Sequence, residues 1–113
     1  MKALFALLTL AMACFASDVT GTWTVSAPTR NGGEMKLTLV IHAGDNSYSG
    51  VISNEEGDAV LKDVRVKDAE MTFRIDTDDA HYEVTATVDG NAMKGSYKVN
   101  NSPGGTFTAT RRR

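Results

Sequence analysis

The chain has 113 residues, of which 42% are hydrophobic, and its formal net charge is −2. This length predicts a single domain. Because an acidic balance repels phosphate backbones, and only the terminal Arg111, Arg112 and Arg113 form a basic cluster, the composition argues against nucleic acid as a partner.

The first predicted element is a secretory signal peptide over residues 1–16. Lys2 precedes an apolar run from Ala3 to Ala13, and the small residues Cys14 and Ala16 stand three places and one place before the expected cut at Ser17. The run is too short for a transmembrane helix, which needs about 20 residues. A short N-terminal core helix is the alternative. Cleavage would leave residues 17–113 as one secreted or periplasmic domain.

Lipid attachment at Cys14 is a second way to process this N-terminus. The stretch "AMAC" resembles a lipobox, but Ala11 and Met12 depart from its preferred residues. We therefore favour cleavage after Ala16. The mature protein would then contain no cysteine and would depend on its core for stability.

After Ser17 the chain alternates between apolar and polar residues, which is typical of half-buried β-strands. Seven turn sequences rich in Gly, Asn and Asp separate these runs and predict eight strands. In chain order the turns are "RNGG", "AGDN", "NEEG", "VKDAE", "DTDDA", "VDGN" and "NNSPGG". Together these features predict an all-β fold, an eight-stranded antiparallel up-and-down barrel, with a two-sheet β-sandwich as the alternative.

Two features of the strands favour a curved sheet. The segment "VLKDVRV", residues 60–66, alternates imperfectly because Val60, Val64 and Val66 share one parity but Leu61 and Lys62 break it, so we expect a bulge there. Glycines at inward positions permit a sharp bend. These are Gly21, Gly50, Gly95 and Gly105.

Both ends of the predicted barrel carry a motif. Gly21-Thr22-Trp23 opens the first strand, and "GTFTATR" ends the last strand at Arg111. The pair resembles the calycin superfamily, which includes lipocalins, fatty-acid-binding proteins and avidins, and also short secreted bacterial domains with the same two ends. The resemblance implies that Trp23 plugs one barrel end and that Arg111 packs across its ring, while the parity of the strand places Gly21 at a bend. The resemblance does not imply a ligand.

The predicted interior raises the question of a cavity. An eight-stranded barrel either is filled by its own side chains or holds one small ligand. The inward residues are bulky, which favours a filled core. The alternative is a carrier of a small hydrophobic molecule, with the candidate ligand-binding residues Trp23, Tyr48, Phe73, Tyr82 and Tyr97.

The acidic stretch "DTDDAHYE", from Asp76 to Glu83, is the candidate metal site. Asp76, Asp78, Asp79 and His81 offer ligands suited to Ca²⁺ or a transition metal. A solvated hairpin turn explains the same composition, and we favour that interpretation. A metal-dependent enzyme at this turn is the least favoured hypothesis.

The preferred hypothesis is a secreted or periplasmic, non-catalytic binding or accessory module. No nucleophile motif is present, and His42 and His81 fall on the outward face. No cofactor is predicted. The expected partner is a small hydrophobic molecule or an envelope protein. The loops at residues 27–33 and 100–104 would contact a protein partner.

Overall fold

A computed structural model of the chain describes residues 18–29, 31–45 and 47–112. The predicted signal peptide, residues 1–16, lies outside the described residues, as does Cys14. Over the described ranges, no helix is long and apolar enough to cross a membrane. Nine β-strands are formed by these residues: β1 (Gly21–Pro28), β2 (Glu34–Ala43), β3 (Tyr48–Asn54), β4 (Gly57–Val60), β5 (Lys62–Lys67), β6 (Glu70–Asp76), β7 (His81–Asp89), β8 (Ala92–Val99) and β9 (Ser102–Arg111).

All of these strands belong to one antiparallel sheet, in the order β4-β3-β2-β1-β9-β8-β7-β6-β5. Apart from β4 and β5, strands adjacent in the chain pair with each other, and β1 also pairs with β9. The two edge strands β4 and β5 are consecutive in the chain and are joined at Leu61. The up-and-down sheet therefore curls into a nearly closed barrel, in agreement with the predicted fold class and not with the two-sheet alternative.

The predicted count of eight strands is wrong by one, because the "VLKDVRV" segment is divided at Leu61. Val60, which has the same parity as Val64 and Val66, is 65% exposed, whereas Leu61 is buried. Ala59 lines the interior on the same parity as Leu61. Beyond the division, Val64 and Val66 pack against the core. The inward parity thus changes from odd to even positions within this segment.

An irregularity in β5 explains the change of parity. Lys62 and Asp63 are both exposed, Asp63 has a φ of 50°, and the register with β6 shifts between Lys62 and Arg65. This is the bulge expected from the interrupted alternation. The Leu61 amide still donates to the Gly50 carbonyl of β3, at 2.9 Å. Beyond Leu61 the segment pairs with β6 instead of β3.

The last predicted turn is shorter than expected. Asn100 and Asn101 alone make it, both with positive φ, as two-residue hairpin turns require. Residues 102–104, predicted as loop, begin β9, and the register shifts opposite Tyr97. A Cβ atom on Gly104 would lie 2.6 Å from the Tyr97 ring, so the ring of Tyr97 covers this irregular stretch of backbone.

The core divides into two halves along the barrel. In the half that contains the start of β1, which we call the packed half, buried side chains fill the interior. In the other half, which we call the open half, buried side chains surround a cavity. The buried residues of the packed half are Val19, Trp23, Leu39, Ile41, Leu61, Met71, Ala86, Val88, Met93 and Ala109, and those of the open half are Val25, Ala27, Phe73, Ile75, Val84 and Phe107.

Candidate functional site: the cavity in the open half

The cavity in the open half has a volume of about 500 Å³. Small-molecule sites in proteins commonly have volumes of about 300–1,000 Å³, with mainly apolar walls. The expectation of a filled interior is therefore met in the packed half and fails in the open half. The apolar wall is formed by Val25, Ala27, Met35, Leu37, Ile52, Ala59, Phe73, Ile75, Val84, Val99 and Phe107, together with Tyr82 and Tyr97.

Two small inward residues contribute to the space in the open half. The packed half contains the long side chains of Leu39, Met71 and Met93, which are all nearly inaccessible to solvent. In the open half, the corresponding inward positions include Ala27 at the end of β1 and Ala59 in β4. A methyl side chain reaches only a short way into a barrel of this width, so space remains.

The cavity reaches solvent at the end of the barrel where four chain connections meet. These connections join β1 to β2, β3 to β4, β6 to β7 and β8 to β9. Exposed residues from three of these regions, Met35, Glu56, Asp58 and Thr77, contribute to the lining. We call this end the mouth. The exposure of 41% at Met35 marks the transition from the interior to solvent.

The opposite end of the barrel is closed around Trp23. The Trp23 side chain is fully buried, and its Nε1 donates to the Val19 carbonyl at 3.1 Å. This bond satisfies the buried indole N–H, which would otherwise carry a desolvation cost. It also holds the segment before β1 against the barrel end, where Val19 is itself fully buried.

Arg111, at the end of β9, covers the Trp23 ring. Its guanidinium carbon lies 4.5 Å from the ring centroid, within the range of a cation–π contact. Its Nη2 donates to the Asp18 and Gly90 carbonyls, each at 2.9 Å, and Nη1 donates to the Thr20 carbonyl. One side chain therefore ties the start of the described chain, the β7–β8 turn and the end of β9 together.

Gly21 lies directly beneath this arginine. Its φ is +125°, and a Cβ atom there would lie 3.6 Å from Arg111 Cδ. Residues with a side chain rarely adopt that backbone conformation, so this position favours glycine. The absence of a side chain also leaves room for Arg111. These three residues, proposed from the motif at the two ends, are in contact at the closed end of the barrel.

The five candidate ligand-binding residues separate into two groups. Phe73, Tyr82 and Tyr97 line the cavity. The rings of Tyr82 and Tyr97, on neighbouring strands, lie 6.4 Å apart and are tilted by 54°. Trp23 lies in the packed half, and Tyr48 packs against the core at the β2–β3 end of the barrel, so neither contributes to the cavity wall. Shared inward parity does not distinguish the two halves, which is why the sequence grouped all five.

The candidate metal ligands are arranged as a hairpin turn. Asp76 accepts from His81 Nδ1 at 2.8 Å and from Lys62 Nζ at 3.0 Å. The His81 contact and then the Lys62 contact lower the pKa of the Asp76 carboxyl below its usual value. Asp78 and Asp79 do not join them in a metal-binding group, and no group of three or more His, Cys, Asp or Glu side chains suited to a metal occurs in the described part of the chain.

Two acidic residues at the mouth were not predicted to contribute to a ligand site. Glu56 lines the cavity from the β3–β4 turn, and Asp58 lines it from β4. Asn54 Oδ1 accepts from the amides of Glu56, at 2.8 Å, and Gly57, at 3.2 Å, which fixes the shape of this turn. The sequence identified "NEEG" as a turn but carried no signal that Glu56 and the neighbouring Asp58 would line a cavity.

The chain matches no protein-family model, and a search of curated proteins finds no match either. The site must therefore be interpreted from its own geometry and chemistry.

Proposed function

We propose that this protein is a non-catalytic carrier that binds one small hydrophobic molecule in the open half of the barrel. The cavity of about 500 Å³, with an apolar wall and a mouth at one barrel end, is the observation that supports this function. Burial of an apolar ligand there would remove both the ligand and the wall from water.

The arrangement favours this function over the other two that the sequence allowed. A purely accessory module that binds an envelope protein through its loops would not need an interior cavity. Catalysis at the Asp76–His81 turn would need a positioned, partly dry acid or base, whereas His81 is exposed and Asp76 is paired with it and with Lys62. We therefore favour non-catalytic binding of a ligand.

We also propose that the barrel is calycin-like. The up-and-down order of the strands supports this, as do the contacts of Trp23 with Arg111 at the closed end. We further propose that the protein is secreted or periplasmic, from the signal-peptide pattern in residues 1–16. Mass spectrometry of the protein recovered from the native envelope or medium would test the latter, since a chain beginning at Met1 would contradict it.

The carrier function can be tested with a neutral apolar dye, N-phenyl-naphthylamine, whose fluorescence rises in apolar surroundings. We expect a saturable increase that corresponds to one dye per barrel. Ala59→Trp, which adds an indole to the cavity wall, should abolish the increase because it fills the cavity. A saturable response that Ala59→Trp leaves unchanged would contradict binding at this site.

The matched control is Val60→Trp. Val60 is adjacent to Ala59 in β4, but its side chain points out of the barrel and is 65% exposed. The same indole is thereby added to the outer face and should leave dye binding intact. Loss of binding in both variants would indicate general damage to the barrel, which thermal unfolding of each variant would reveal.

A further inference from the structure

We propose that the ligand of the open half is an organic cation, an apolar body that carries an ammonium or similar positive group. This inference rests on the proposed carrier function and specifies the chemical class of its ligand. Three properties of the cavity support it: the negative charge of the ionisable groups that line it, the aromatic rings in its wall, and the ion pairs that two nearby lysines form with other carboxylates.

The ionisable groups of the lining favour positive charge. Glu56 and Asp58 line the mouth, and no Lys, Arg or His belongs to the lining formed by the described residues. A carboxylate or sulfate group entering the mouth would approach like charge, and the described part of the lining offers no cation to compensate it. A positive group would instead be attracted to both carboxylates.

Two lysines on nearby strands, Lys36 on β2 and Lys62 on β5, are paired with carboxylates outside the cavity. Lys36 Nζ lies 3.3 Å from Glu34 Oε1, and Lys62 Nζ lies 3.0 Å from Asp76 Oδ2. Neither lysine lines the cavity. These pairs leave the negative charge of Glu56 and Asp58 uncompensated by either lysine.

Aromatic rings provide a second, independent attraction for a cation. Phe73, Phe107, Tyr82 and Tyr97 are all part of the cavity wall. The face of an aromatic ring attracts ammonium groups, and cages of such rings are a recurring means of binding quaternary ammonium compounds. An apolar wall that only had to bury a hydrocarbon could use aliphatic residues alone.

Glu56 and the two tyrosine rings are on opposite walls of the mouth. If β4 and β5 are counted as one continuous segment, three strands separate β3 from β8 in either direction around the barrel. Glu56 follows β3, whereas Tyr97 lies near the end of β8, with Tyr82 beside it on β7. A positive group at the mouth would have the Glu56 carboxylate on one side and tyrosine rings on the other.

Three surfactants with the same dodecyl chain provide the test: dodecyltrimethylammonium, dodecyl maltoside and dodecyl sulfate. Each is titrated, below its micelle concentration, against the dye-loaded protein at neutral pH. We expect the cationic compound to displace the dye with about tenfold higher affinity than the neutral one, and the anionic compound to bind most weakly. Added salt should reduce the difference, since the carboxylates at the mouth are exposed.

The double variant Glu56→Gln/Asp58→Asn should reduce the preference for the cation over the anion and leave the affinity for dodecyl maltoside unchanged. The control Asp45→Asn/Glu55→Gln removes the same net charge from residues that do not line the cavity. It should keep the preference. Both double variants alter exposed positions, and their thermal unfolding should match the parent protein.

The possible outcomes distinguish this inference from the carrier function. If dye and dodecyl maltoside bind but the anion binds as tightly as the cation, the barrel is a carrier and the inference of a cationic ligand is wrong. The same conclusion follows if the preference survives in Glu56→Gln/Asp58→Asn. If neither the dye nor any surfactant binds, the carrier function itself is wrong.

Discussion

The packed half and the open half of this barrel use the same strands for different purposes. In the packed half, Trp23, Leu39 and Met93 fill the interior, and Arg111 closes the end through a cation–π contact and hydrogen bonds to backbone carbonyls. In the open half, the interior is partly empty, and the end is bordered by turns with exposed ion pairs.

This difference indicates how a small barrel can be stable and still contain a cavity. A cavity removes packing contacts and therefore costs free energy. Most of the large, fully buried side chains lie in the packed half, including Trp23, Leu39 and Met71. We infer that the packed half supplies most of the stability, whereas the open half supplies the binding surface. The predictions below test that division.

The largest expected effect comes from Trp23→Ala. Removal of this buried ring leaves a void, removes the face on which Arg111 rests, and should lower the free energy of unfolding by about 3 to 5 kcal/mol. Trp23→Phe keeps an aromatic ring and loses the hydrogen bond to the Val19 carbonyl, so its cost should be about 1 to 2 kcal/mol. Urea unfolding measures both. A loss below about 1 kcal/mol for Trp23→Ala would show that the packed half does not depend on this ring.

A matched pair on one strand separates the two roles more sharply. Leu39 and Leu37 are on the same face of β2, two residues apart, but Leu39 is 1% exposed in the packed half and Leu37 lines the cavity. We expect Leu39→Ala to cost about 2 to 5 kcal/mol, and Leu37→Ala to cost about 1 kcal/mol, since its side chain already borders empty space.

The affinity for the dye should change more in Leu37→Ala than in Leu39→Ala, the reverse of the order expected for stability. Leu37→Ala removes part of the apolar wall and should weaken the affinity for the neutral dye, whereas Leu39→Ala should leave the affinity of the folded protein unchanged. Equal losses of stability in the two variants, or a loss of affinity confined to Leu39→Ala, would contradict the division into two halves. Urea unfolding and dye titration of the same preparations provide both measurements.

The sequence predicted the sheet well because alternation and turn chemistry are local signals. The two-residue period identified the inward faces of β1, β2, β6 and β7, and Gly, Asn and Asp marked all seven connections between paired strands. The division at Leu61 was only partly predictable. Interrupted alternation indicated a bulge, but the change of pairing partner from β3 to β6 depends on the closure of the whole barrel.

The cavity could not be predicted from the same signals. Inward parity is shared by Trp23 and Tyr97, although one is in the packed half and the other lines the cavity. Whether an interior is filled depends on the combined volume of side chains at one level of the barrel, which come from strands far apart in the chain. Ala27 and Ala59 reduce that volume in the open half, and their joint effect is evident only once the strands are aligned.

The smallest expected effect concerns the ion pairs near the mouth. Asp76 is bonded to His81 and to Lys62, and these contacts lower the pKa of its carboxyl in the folded protein. Stability from a depressed carboxyl pKa is present above the unfolded value, which is about 3.9, and is lost as the pH falls through the folded value. The advantage of the parent protein over Asp76→Asn should therefore shrink between about pH 5 and pH 2. Because these side chains are partly exposed, the effect should be smaller than that of Leu39→Ala.

Thermal unfolding between about pH 5 and pH 2 measures this loss of stability, with Asp79→Asn as the control that leaves the Asp76 contacts in place. A stability difference that stays constant over the whole range would mean that these contacts do not hold the open end together.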